Sequence, residues 1–118
     1  MGRRLERLNA LFRQELSDLL LREIKDPRLA HFVTITRVDI SPDLQFAKVH
    51  VSVLGSGEEK ASTMEGLAAA AAYLRYELAQ RLTIRRVPSL TFLLDETMEE
   101  AAHVLELIDR VARDPHST

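Results

Sequence analysis

Apolar residues recur along this chain in three helical registers and three strand-like ones. Over residues 62–82, Leu67, Ala71, Leu74, Leu78 and Leu82 fall at spacings of four, three, four and four, which lines one face of a helix. Ser62 followed by Glu65 has the form of a capping box and predicts the helix start there. This is the longest helical signal in the chain, and an apolar face of that length needs a sheet or another helix to cover it. Five consecutive alanines, Ala68 to Ala72, leave the backbone nearly bare near its start. Another backbone, of protein or of nucleic acid, can approach closely there.

A first helix is predicted over residues 3–23, with Leu5, Leu8, Phe12, Leu16, Leu19 and Leu20 as its inner stripe. Asp26-Pro27 stops it, because the residue before a proline is pushed out of helical angles. Residues 32–40 are rich in β-branched side chains and read as a strand. Ser41-Pro42-Asp43 supplies turn chemistry. Residues 45–54 then alternate cleanly: Ala47, Val49, Val51 and Val53 point one way, Phe46, Lys48, His50 and Ser52 the other. So short a connection predicts an antiparallel pair whose second face is solvated. After the polar loop 55–60 and the long helix, residues 89–94 form a third strand. Thr97 with Glu100 has the form of a second capping box and opens a helix over 98–113, with Ala101, Val104, Leu105, Ile108 and Val111 as its inner stripe. The order predicts an α+β fold, a helical layer on a three-stranded sheet, in one domain over residues 1–113 with a frayed tail at 114–118.

Composition narrows the function classes. The 118 residues contain no cysteine, which excludes disulfides and cysteine-ligated metal. No apolar run reaches the length of a membrane span or a signal-peptide core, so a cytoplasmic location is expected. The net charge of −2 is unevenly spread: residues 96–118 carry six acidic and two basic side chains, and the rest of the chain is slightly basic. A pI of 6.1 lies well below that of a typical basic nucleic-acid-binding domain. Only the distribution of charge keeps a polyanionic partner open. Arg3, Arg4 and Arg7 crowd the start of the first helix, Lys25 and Arg28 flank its end, and Arg81, Arg85 and Arg86 gather where the long helix ends. Cations at a helix C-terminus are favoured by its dipole whatever their function, an explanation that suffices for one arginine and less well for three.

No phosphate-binding loop, zinc-binding His pair, nucleophile elbow or dinucleotide fingerprint occurs. The four histidines His31, His50, His103 and His116 show no metal-ligand spacing, and the carboxylate pairs Glu58-Glu59 and Glu99-Glu100 read as solvation and as helix-dipole complements. An enzyme is not expected, nor a metal or cofactor.

The blocks Lys25-Asp26-Pro27-Arg28-Leu29, Phe32-Val33-Thr34-Ile35-Thr36, Val38-Asp39-Ile40-Ser41-Pro42-Asp43-Leu44, Ala47-Lys48-Val49 and Val51-Ser52-Val53-Leu54-Gly55 follow one another in an order that resembles the ribosome-binding factor A family. Tyr73-Leu74-Arg75, Leu78-Ala79, Leu82, Ile84-Arg85, Pro88, Leu90, Phe92 and Asp95 continue the resemblance, which covers residues 3–108. It implies a type II KH-like domain, in the order α-β-β-α-kink-α-β plus a C-terminal helix. It further implies a cytoplasmic monomer that binds 16S rRNA, acts late in maturation of the bacterial 30S subunit and supports growth in the cold. KH domains ordinarily clamp RNA at a G-x-x-G loop. The family instead has an Ala-x-Gly kink, which falls on Ala70-Ala71-Ala72 and puts Ala72 in the place of the glycine. Alanine favours a helix interior over glycine by about 1 kcal/mol, so local physics predicts a straighter helix than the family pattern. The RNA-binding set implied is Arg3, Arg4, Arg7, Lys25, Arg28, Ala70, Ala72, Arg75, Arg81, Arg85 and Arg86, the arginines meeting phosphates from both ends of the helical layer. The competing reading is a protein-interaction adaptor of the same fold that docks through the alanine-bare helix.

Overall fold

In the computed structural model, residues 2–22 and 33–113 are described. They form α1 (Gly2–Arg22), β1 (Val33–Ile40), β2 (Phe46–Val53), α2 (Gly57–Arg81), β3 (Ser89–Leu94) and α3 (Thr97–Arg113). The Asp26-Pro27 stop, with Lys25 and Arg28, lies outside the described residues, as does the predicted tail. The sheet order is β1-β2-β3, antiparallel between β1 and β2 and parallel between β2 and β3. Parallel pairing obliges the chain to cross from one end of the sheet to the other, and α2 makes that crossing.

β2 is the centre of the core. Ala47, Val49, Val51 and Val53 are fully buried beneath the helices, as the alternation requires. Phe12, Leu16 and Leu19 of α1 and Leu67, Leu74, Leu78 and Leu82 along α2 and its cap fill the other side, while Ala71 is only half-buried. In β1 the buried residues Ile35, Val38 and Ile40 break strict alternation. A bulge between Ile35 and Arg37 absorbs the extra residue, so that Ile35 and Val38 both face inward. Asn9 Oδ1 accepts the Ile40 N–H at 2.9 Å, tying α1 to the end of β1.

Two helix starts differ from the sequence expectation. α2 begins at Gly57, and the capping box is Ser56 with Glu59: Ser56 Oγ accepts the Glu59 N–H at 3.2 Å, and Glu59 Oε1 accepts the Ser56 N–H at 3.0 Å. Ser62 has the same spacing to a glutamate but lies inside the helix, because Gly55, at φ 150°, turns the chain in time for the earlier cap. For α3, the Glu100 N–H bonds Glu96 O, so Thr97 is already helical and Glu96 holds the N-cap position, while Asp95 Oδ1 accepts the Thr97 N–H at 2.9 Å.

Two larger expectations are corrected. α2 runs as one helix of 25 residues through Ala70-Ala71-Ala72, so the two helices expected either side of a kink are a single element. The alanine at position 72 removes the local reason for a break. The stripe predicted to face inward on α3 instead faces outward: no α3 residue is buried, and Val104, Leu105, Ile108 and Val111 are each more than half exposed. α1 and α2 already cover the apolar face of the sheet. The two-residue link is also held firmly, with Thr36 Oγ1 donating to Asp95 Oδ2 at 2.7 Å and Lys60 Nζ reaching Glu99 Oε2 at 2.6 Å, and α3 leaves the body from there.

Truncation of Phe12 to alanine should cost about 3–5 kcal/mol of unfolding free energy, the usual range for a buried phenylalanine, read from urea midpoints. The Asp95 carboxyl is lowered to about 2 by the Thr97 hydroxyl, the Thr97 N–H and the Thr36 hydroxyl. A depressed carboxyl stabilises the fold above its ordinary value of 3.8 and loses that contribution as pH falls through about 2. The urea midpoint of the parent should therefore drop more steeply between pH 4 and pH 2 than that of Asp95→Asn, about 4 being the ordinary carboxylate range.

Candidate nucleic-acid interface

Residues 82–88, which follow α2, bring the chain back along α1 toward β3, and this return segment organises the cationic surface. Arg75 Nε donates to Val87 O at 2.9 Å, fixing the segment against α2. On one side, Ala72, Arg75, Tyr76, Ala79 and Val87 line an open depression of about 340 Å³. Ala72 and Ala79 contribute almost no side chain to it, and Tyr76 presents an exposed aromatic ring. On the other side, Leu8 of α1, Leu44 of the β1–β2 turn, Ile84 and Pro88 wall a second depression of about 350 Å³ with Arg85 and Arg86 at its edge. Arg85 and Arg86 are exposed, and no carboxylate among the described residues pairs with either.

Arg4 lies four residues before Leu8 and so shares its face of α1, one turn nearer the N-terminus. Arg7 and Arg3 lie progressively further round the helix, at about 100° per residue, and are exposed. The structure thus brings Arg85 and Arg86 beside Leu8 of α1, one turn from Arg4, with Arg75 of α2 bonded to the same return segment.

Other expected residues are placed differently. Arg81 is engaged within the fold: its Nη1 donates to Asp18 Oδ2 at 2.7 Å and to Glu15 Oε2 at 3.1 Å, and its side chain is 27% exposed. These bonds, that with Asp18 foremost, push the Arg81 pKa up, and the Arg81 hydrogen bond holds the Asp18 carboxyl below its ordinary value. Geometry assigns it to clamping α2 on α1 rather than to an open phosphate contact. Ala70 packs half-buried against the core, while Ala72 faces the first depression. On the open face of the sheet Phe46 and Lys48 are exposed, but His50 is held in a network: its Nε2 lies 3.3 Å from Asp39 Oδ2 and 3.2 Å from Arg37 Nη2. Among the described residues no cluster of His, Asp or Glu has metal-binding geometry, and no helix is long and apolar enough to cross a membrane.

Sequence reading missed the second depression, because its walls come from three separate stretches. The one local signal is the Ser41-Pro42-Asp43 turn, which ends with Leu44 at φ 61° and turns its side chain into the depression.

A sequence model of the family described as ribosome-binding factor A matches residues 4–108. The chain belongs to the ribosome-binding factor A family. A ribosome-binding factor A of Acetivibrio thermocellus is 40% identical over 121 residues, covering 98% of each chain. The crystal structure of ribosome-binding factor A from Thermus thermophilus superposes with a TM-score of 0.68 at 29% identity, over 76% of this chain and 93% of that one. A homology model of the T. thermophilus factor, fitted into the cryo-EM map of a 30S complex, superposes with a TM-score of 0.61 at 28% identity, over 74% of this chain and 90% of that one.

The two kinds of arginine should separate experimentally. Arg81→Ala removes the cation that Glu15 and Asp18 share, leaving Asp18 with Arg22 alone at 2.9 Å, and should lower the urea midpoint. The double change Arg85→Ala, Arg86→Ala should stay within about 0.5 kcal/mol of the parent, as exposed substitutions usually do.

Proposed function

We propose that this chain binds the small ribosomal subunit through 16S rRNA and assists its late maturation, including at low temperature, as a cytoplasmic monomer without catalytic chemistry. The observation that carries this reading is the placement of Arg85 and Arg86, exposed and without carboxylate partners among the described residues, in the lining of the second depression. The relative fitted to a 30S complex supports the choice of polyanion. In these terms the domain is type II KH-like. The arginine-flanked face takes the place of a G-x-x-G clamp, with Ala72 leaving room for a close backbone approach along α2. Guanidinium contacts to phosphate position the protein and carry little sequence information, so selectivity comes from the shape of the folded RNA. Holding an immature rRNA conformation until processing is complete is the mechanistic role this allows.

The adaptor reading, docking through the alanine-bare α2, draws on the exposure of Ala68, Ala69 and Ala72. The exposed apolar stripe of α3 offers a second surface for it. Ionic strength separates the two readings. Co-sedimentation with isolated small and large subunits should show association with the small subunit alone, weakening with salt at a slope that grows with the number of phosphates neutralised. Arg85→Ala with Arg86→Ala should shallow that slope. Salt-independent association would favour the adaptor, and co-sedimentation with neither subunit at low salt would remove the ribosomal reading.

A further inference from the structure

The depression between α1, the β1–β2 turn and the return segment differs from a plain basic patch, since apolar walls and cations occur together in it. Leu8, Leu44, Ile84 and Pro88 give it an aliphatic lining, and at about 350 Å³ it lies at the small end of the range for ligand pockets, about 300–1,000 Å³. That space suits one planar ring system, not a helix or a strand of a partner. Its polar groups include both signs of charge: Arg85 and Arg86 come from the return segment, Asp43 and Gln45 from the β1–β2 turn. Asp43 is held ionised by hydrogen bonds from the Ser41 hydroxyl at 2.6 Å and the Gln45 N–H at 3.1 Å, which lower its pKa. A phosphate is therefore repelled near Asp43 and attracted near the two arginines. The Gln45 side-chain amide offers one donor and one acceptor group beside the turn, the combination that reads a base edge.

We propose that this depression receives a single unpaired RNA base, whose phosphate rests on Arg85 and Arg86 and whose ring lies against Leu44 and Ile84. The proposal rests on the ribosomal RNA reading above and adds the kind of nucleotide recognised, one unstacked from its neighbours. A double helix offers phosphates to the arginines but no ring face to the aliphatic walls. Splayed-out single-stranded bases are the usual targets of direct protein contact in RNA. Arg4, one turn from Leu8, extends the cationic edge along the adjoining backbone.

The test uses the full chain with two probes, oligoadenylate RNA and an abasic ribose-phosphate oligomer of equal length, alongside co-sedimentation with small subunits. Oligoadenylate should bind severalfold more tightly than the abasic probe, because a ring set against aliphatic walls removes apolar surface from water. Leu44→Gly should erase that preference while leaving the salt slope unchanged, and glycine suits the positive φ at this position, so the turn is kept. Arg85→Ala with Arg86→Ala should weaken both probes and reduce the slope by about 0.7, the value for one single-strand phosphate. Equal binding of the two probes by the parent, or an unaltered preference in Leu44→Gly, overturns the base pocket even if small subunits still co-sediment. Loss of small-subunit binding by the parent itself overturns the ribosomal reading, and the base pocket with it.

Discussion

The parallel pairing of β2 with β3 is the constraint from which the rest of the molecule follows. An antiparallel partner can return through a tight turn, but a parallel one must be reached by a crossover. α2 supplies it, and its 25 residues span about 37 Å at the usual helical rise. Residues 82–88 then lead from the end of α2 past Leu8 of α1 to β3. The cationic surface is built on that return segment, Arg85 and Arg86 included. The sheet topology therefore places the arginines, and the apolar alternation of β2 places the sheet.

Much of the fold is legible in the sequence because its strongest signals are periodic. The alternation of Ala47, Val49, Val51 and Val53 identifies the central strand, and the leucines of α2 identify its buried face. Family resemblance gives the order of elements. What sequence patterns do not decide is which of two similar local signals wins. Ser56-Glu59 and Ser62-Glu65 have the same spacing, and Gly55, by turning the chain sharply before Ser56, settles the matter. Periodicity also says that a helix has an apolar face without saying whether anything remains to cover. α3 has such a face, but α1 and α2 have already taken the sheet.

The candidate site is less legible than the fold for a related reason. Counting arginines finds all of them, but sorting them depends on contacts far apart in the chain. Arg81 meets Glu15 and Asp18, more than sixty positions earlier. Arg85 and Arg86, only a few residues further on, meet no carboxylate among the described residues. The family's glycine position carries alanine here, and the helix runs through it unbroken. Where the family has a bend, this chain presents one continuous helix with a bare flank.

The bridge from Arg81 to α1 has a consequence for association. It joins the helix that bears the N-terminal arginines to the helix from which the return segment springs, and the Arg75–Val87 bond fastens that segment in turn. Cations contributed by different parts of the chain are thereby carried on one preorganised frame. Engaging a polyanion then costs mainly side-chain rotamer freedom, about 0.5–1.5 kcal/mol for each immobilised arginine, instead of the larger entropy of ordering backbone.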